Sequence, residues 1–219
     1  EGLPIYYSEW DENAIFSAYT NDTRKVAAYL VKVALDTEPL IDGSSIWCFS
    51  DIFEEFSEFP QEFHGGFGLM THSGVPKPQY YALKMLNDLA ENRLDLGDGA
   101  TDQEIGVAAF SGNGRIQILL FRQKMKNLDL PKEKATICVE LNKEPYNVFL
   151  ERIDEEHGNP LKLWEEWGSP EDLKPAEQEE LIRRTRMEKE SAEYVYENGQ
   201  VVMGAELAVN DIYLFTIIE

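Results

Sequence analysis

Residues 43–70 read GSSIWCFSDIFEEFSEFPQEFHGGFGLM. An apolar run, Ile46-Trp47-Cys48-Phe49, is followed at once by Asp51, Phe53, Glu54, Glu55 and Phe56, then by His64 and the pair Gly65-Gly66. A short buried strand ending in a loop of carboxylates, aromatics and glycines is how barrel enzymes build part of a pocket. Aromatic faces cover the apolar faces of a sugar, and carboxylates accept from its hydroxyls, so the string suits a neutral, polar, ring-shaped ligand. The competing reading is an aromatic-rich loop plugging a core, because structural ion pairs also gather carboxylates. A lone His such as His64 is more often a hydrogen-bonded scaffold residue than a ligand contact.

Upstream, Leu3-Pro4-Ile5-Tyr6-Tyr7 is a short apolar strand closed by Ser8-Glu9-Trp10. Asn21-Asp22-Thr23 is a helix-start signal, and Val26, Ala27, Tyr29, Leu30, Val33 and Ala34 continue it as an apolar helical face to about Asp36. A second strand, Ser45 to Phe49, completes a right-handed βαβ unit with a parallel pair. The loop from Ser50 to His72 is long for such a unit, and long ordered loops usually serve a site. Pro76-Lys77-Pro78 then opens a helix with core positions Tyr80, Tyr81, Leu83, Met85, Leu86, Leu89 and Ala90.

After Asn92 the composition changes. Strands are predicted over Ile105–Ser111, Arg115–Phe121, Ala135–Leu141, Tyr146–Ile153, Ala192–Tyr196, Val201–Leu207 and Ile212–Ile218. Ser111-Gly112-Asn113-Gly114 and Asn198-Gly199 are hairpin turns. This spacing suits an antiparallel sandwich. Asp154 to Pro160 reads as a structural loop, Trp164 to Pro170 as a turn, and Pro175 to about Lys189 as an acidic amphipathic helix with Leu181 and Ile182 on its buried side.

The strings WCFSDIFEE, FHGGFGLM and GVPKPQYYAL resemble glycoside hydrolase family 39, the β-xylosidase family. Cys48 stands where that family usually has threonine. The resemblance runs along most of the chain and is thin from about Asn92 to Asn147. It implies that YYSEW matches the T-E-W end of the seventh barrel strand, with Glu9 the catalytic nucleophile and Ser8 in the Thr place. It further implies that Trp47 stacks on or walls the sugar and that Glu54 and Glu55 bind its hydroxyls. His64, before two glycines, is a candidate substrate contact alongside its scaffold reading. Asp51 is read equally as a loop-holding residue. A retaining glycosidase needs a second carboxyl group about 5 Å from the nucleophile. Glu12 is near in sequence, and Glu54 and Glu55 are candidates to lie near in space, but the resemblance implies an acid/base after the fourth barrel strand, outside this chain.

The expected fold is α/β plus all-β: residues 1–91 as the last two βα units of a (β/α)8 TIM barrel, and 92–219 as an antiparallel β-sandwich with a helical insertion at about 160–190. The expected function is hydrolysis of β-xylosidic bonds through a glycosyl-enzyme intermediate on Glu9. The alternative is a non-catalytic fragment or a carbohydrate-binding or structural β-sandwich module.

Composition bounds the partners. The chain has 219 residues and a formal net charge of -21, from 41 acidic and 20 basic side chains. Nucleic acids and anionic membranes need a basic face and are not expected. No cofactor is expected, and His72 and His157 make no metal pattern. Cys48 and Cys138 are expected as free, buried thiols. The chain opens at Glu1-Gly2-Leu3-Pro4, without Met or leader, and is expected to be part of a longer protein. Expected partners are a xylo-oligosaccharide or xyloside, the upstream half of the barrel and, as an open option, further copies of the chain. Compartment stays open, with cytoplasmic ahead of secreted.

Overall fold

The computed structural model describes residues 2–52, 61–97, 104–126 and 129–219. Two parallel strands, β1 (Tyr6–Trp10) and β2 (Gly43–Ile46), are linked by helix α1 (Arg24–Thr37), and helix α2 (Pro78–Asn87) follows. Thr23 caps α1, its hydroxyl accepting from the Lys25 N–H at 3.3 Å. The stripe Val26, Ala27, Leu30, Val31 and Leu35 is buried, as helical spacing requires, and α1 packs on Tyr81, Ala82 and Met85 of α2.

The remaining strands are β3 (Asn92–Leu94), β4 (Gly106–Gly112), β5 (Arg115–Phe121), β6 (Glu133–Glu140), β7 (Asn147–Ile153), β8 (Glu190–Ser191), β9 (Val195–Glu197), β10 (Gln200–Leu207) and β11 (Ile212–Ile218). They form two antiparallel sheets, a six-stranded one in the order β3-β4-β5-β11-β7-β8 and a three-stranded one in the order β6-β10-β9. Helices α3 (Pro160–Glu166) and α4 (Pro175–Thr185) lie between β7 and β8 in sequence.

The larger sheet is the middle layer. One face, with Ala108, Phe110, Leu119, Phe121, Ile212 and Leu214, packs on α1 and α2. The other, with Ala109, Ile118, Leu120, Phe215 and Ile217, packs on Ile137, Val201 and Met203 of the smaller sheet. Strands buried on both faces need apolar residues at consecutive positions, which is why β5 reads RIQILLF and β11 IYLFTII. Of the two buried polar residues in these strands, Gln117 and Thr216, Gln117 accepts from the Ala90 N–H at 2.7 Å and donates to the Asp88 carbonyl at 3.2 Å, tying the end of α2 to β5.

Both hairpin turns form as their residues require. Asn113 and Gly114 have φ of 52° and 72°, and Asn198 and Gly199 have 52° and 77°, the left-handed pair of a type I′ turn.

Four expectations need correction. β2 stops at Ile46 rather than Phe49, because Cys48 changes partner: its N–H donates to the Phe67 carbonyl at 3.2 Å and its carbonyl accepts from Leu69 at 3.0 Å. α4 ends at Thr185, not Lys189; Arg186 is extended, and Met187 turns into the core beneath the helices. Trp164 belongs to α3 rather than to a turn, which begins only after Trp167. Cys138 is exposed and Cys48 half-buried, so neither is a core thiol. Among the described residues there are four helices and no closed barrel: β1 and β2 form an open two-stranded sheet.

Candidate active site

Glu9 is exposed, one residue before the end of β1. Trp47 directly follows the last residue of β2, and its N–H donates to the Trp10 carbonyl at 2.9 Å. The parallel pairing therefore brings Glu9 and Trp47 to the same carboxyl-terminal end. Trp10 packs toward α1, its ring centroid 6.4 Å from that of Tyr29. Trp47 is 40% exposed, and the Trp47–Cys48 peptide is cis. Glu54 and Glu55 lie outside the described residues.

The two acids after β1 have different surroundings. Glu12 is taken up by structure: it pairs with Lys25 at 3.0 Å, both side chains nearly buried, and accepts from Asn13 at 2.7 Å. Asp11 has no such cation. Burial pushes its carboxyl up to about 6; the Glu12 N–H opposes this, the Glu12 charge adds to it, and Lys77 counteracts.

Beneath the strand ends lies a cluster that the motif strings do not announce. The Lys77 ammonium sits 2.6 Å from Asp22 and 2.5 Å from Asp51, with all three side chains fully buried, and donates to the Gly66 carbonyl at 3.1 Å. Burial works against the Lys77 charge, but the two carboxylates outweigh it and hold the ammonium above its ordinary range. Asp22 also accepts from Gly65 N–H at 2.6 Å, and Asp51 from Gly68 N–H at 2.7 Å. Asp51 thus holds the loop. Lys77 is the N-cap residue of α2, a poor place for a cation next to the positive end of a helix. That misfit was the one signal in the sequence that could have located the cluster.

The glycines of FHGGFGLM follow from this packing. Gly65 has φ of 82°, and a Cβ on it would collide with the backbone of Ser17 and Ala18. A Cβ on Gly66 would strike the Asp51 carboxylate and come within 2.9 Å of His64 Nε2; one on Gly68 would strike the backbone at Ser50 and Asp51. His64 is half-buried, its Nδ1 3.3 Å from the Gln61 carbonyl and its ring 6.1 Å from that of Phe16. Burial holds its imidazole below the usual range.

Further along the loop, buried Glu62 accepts from Thr71, from Ser73 at 2.5 Å, and lies 3.3 Å from His72. Sequence reading missed it because a Glu within an acidic run looks solvated. Phe63 packs against Trp164 of α3, the ring centroids 5.2 Å apart and the planes tilted by 59°, and Gln178 of α4 donates to the Ser73 carbonyl, so the loop rests on both helices. A cavity of about 650 Å³ lies elsewhere, between β4–β5 and β6, with Ile105, Ile118 and Ile137 in its walls. It offers no cluster of carboxylates and aromatics like that at the strand ends. Among the described residues no three His, Cys, Asp or Glu gather as a metal site, and no helix is long and apolar enough to cross a membrane.

The profile of Glycosyl hydrolases family 39 matches residues 1–201. The chain belongs to this family. A β-xylosidase from Caldicellulosiruptor saccharolyticus is 30% identical over 217 residues, spanning 98% of this chain and 44% of that protein. A β-xylosidase from Geobacillus stearothermophilus is 26% identical over 168 residues, 77% of this chain and 32% of its own length. Among solved structures, a family 39 β-xylosidase from Caulobacter crescentus superposes with a TM-score of 0.76 at 26% identity, covering 100% of this chain and 45% of that one. The family 39 enzyme from Xanthomonas axonopodis pv. citri gives a TM-score of 0.78 at 24% identity, with 99% and 45% covered, and shares the fold. The chain thus spans less than half the length of these family 39 relatives.

Proposed function

We propose that this chain is the carboxyl-terminal part of a retaining β-xylosidase with Glu9 as its nucleophile. The observation that carries the reading is the convergence of Glu9 and Trp47 at the carboxyl end of one parallel strand pair, in a family 39 chain. Catalytic groups of barrel enzymes stand at that end. Side-chain alternation, with Trp10 turned to α1, favours Glu9 on the opposite, open face.

The finer architecture follows the same line. Residues 1–91 are the last two βα units of a (β/α)8 barrel, and 92–219 a β-sandwich carrying α3 and α4 as its insertion. A parallel pair is normally buried on both faces. Here Leu3, Ile5, Tyr6 and Tyr7 of the β1 segment are exposed, Leu3 at 90%. Apolar side chains in that position call for further strands, the missing barrel half named as a partner.

In the proposed reaction the Glu9 carboxylate attacks the anomeric carbon of a β-xyloside. The bond to the aglycone oxygen breaks as an acid, supplied from outside this chain, protonates that oxygen. The same group then deprotonates a water that attacks the glycosyl ester, releasing xylose and restoring the carboxylate. Trp47 walls the sugar, and Glu54, Glu55 and His64 bind hydroxyls. Glu12 is not the second carboxyl, since Lys25 already holds it.

In the longer enzyme, Glu9→Ala is expected to cut turnover of nitrophenyl xyloside at least about 10³-fold; activity near wild type overturns the assignment. The second reading, a piece that is inert by itself, is favoured by the engagement of Glu12. Without its acid partner the isolated chain forgoes roughly 10²–10⁴-fold of rate.

A further inference from the structure

The Lys77 cluster joins three elements that meet at the strand ends. Asp22 immediately precedes the cap of α1, Asp51 lies in the loop after β2, and Lys77 starts α2. Two carboxylates against one ammonium make an ionic core with no exposed side chain. Such a core is a poor source of stability, since apolar residues of like volume often serve a fold as well or better. A set of short charge-assisted bonds does fix one geometry.

That geometry runs to Trp47 through an unbroken set of bonds. Asp51 accepts from Gly68, and its own N–H donates to the Met70 carbonyl at 2.9 Å. Lys77 N–H donates to the Leu69 carbonyl at 2.9 Å. Segment 67–69 in turn holds both backbone groups of Cys48, through Phe67 at 3.2 Å and Leu69 at 3.0 Å. Cys48 is joined by its peptide bond to Trp47, which bonds back to Trp10, the neighbour of Glu9.

We propose that Lys77, clamped by Asp22 and Asp51, is a positioning residue that sets the Trp47 sugar wall relative to β1. The assignment rests on the reading of Trp47 given above, but its first test does not use activity. The 219-residue chain carries four tryptophans, Trp10, Trp47, Trp164 and Trp167. Labelled with 5-fluorotryptophan, it should give four fluorine resonances, assignable by single Trp→Phe variants.

In Lys77→Met the Trp47 resonance is expected to shift or broaden, with Trp10 following, while Trp167 stays in place. An unmoved Trp47 resonance in a folded Lys77→Met chain overturns the proposal. If all four resonances collapse together, the variant has unfolded and Asp51→Asn decides by the same criterion. That change keeps the Gly68 bond and the Lys77–Asp22 pair, and removes only one leg of the clamp. In the longer enzyme, a misplaced wall is expected to lower kcat on an aryl xyloside by up to about 10²-fold, with the folded state retained. A shifted Trp47 in Lys77→Met, together with a longer wild-type polypeptide that turns over no xyloside, would sink the glycosidase reading and leave the positioning role standing.

Discussion

Asp11 is a residue whose surroundings alter its chemistry. Its carboxyl is pushed up to about 6, chiefly by burial. The folded chain therefore binds this proton more tightly than the unfolded chain, whose Asp titrates near 3.8. The stabilisation is fully present below that ordinary value and is lost as pH rises through about 6. Asp11→Asn should raise Tm at pH 7 and leave it nearly unchanged at about pH 3, and the Asp11 carboxyl carbon should titrate by NMR with a midpoint near 6. A midpoint near 4 would contradict the burial argument. The glycine positions are as sharply determined. Gly65→Ala adds a Cβ against main chain at a positive φ and should cost roughly 2–4 kcal/mol in chemical denaturation. A loss under about 0.5 kcal/mol would mean that the backbone at Ser17 and Ala18 yields easily.

At the scale of elements, α3 and α4 support the loop rather than extending the sheets. Phe63, Val75, Leu163, Trp164 and Leu181 form a separate apolar cluster. Trp164→Ala should destabilise by about 3–5 kcal/mol and lower hydrogen-exchange protection in residues 61–75 ahead of β5 and β11. Equal loss of protection everywhere would deny the loop its own support. What the sequence disclosed about elements follows from local chemistry. Asn-Gly turns need two left-handed residues, so both hairpins were legible. Helix faces announce themselves by period, so α1 and α2 were found within a few residues. β3 and β8 were not found, because short edge strands with polar residues carry no pattern. The three-layer packing escaped as well: β5 and β11 are apolar at consecutive positions and do not say which face meets which neighbour. The placing of Glu9 and Trp47 at one end of the β1–β2 pair was legible, because the motif strings carry both strands. The Lys77 cluster was not, because its members lie dozens of residues apart and two have commonplace local readings, Asp22 as part of a cap and Asp51 in an acidic loop; only Lys77, a cation at a helix start, is out of place.

Taken whole, the molecule is strongly acidic, at -21 over 219 residues. Self-repulsion of like charges opposes the compact state and is screened by salt. Tm should rise between low ionic strength and about 0.5 M NaCl, where the Debye length is only a few ångströms. A fall over that range would mean that the paired charges, such as Lys124–Glu104 and Arg152–Glu190, outweigh the repulsion. The open β1–β2 pair, and a chain that spans less than half of each relative, support the proposal that this chain supplies one wall of a site that further strands complete. The most direct test of that account is a covalent trap. A 2-fluoro xyloside with a good leaving group, incubated with the longer polypeptide carrying this chain, should leave a fluoroxylosyl adduct on the peptide containing Glu9. An adduct on any other carboxylate, or turnover with no adduct, would contradict it.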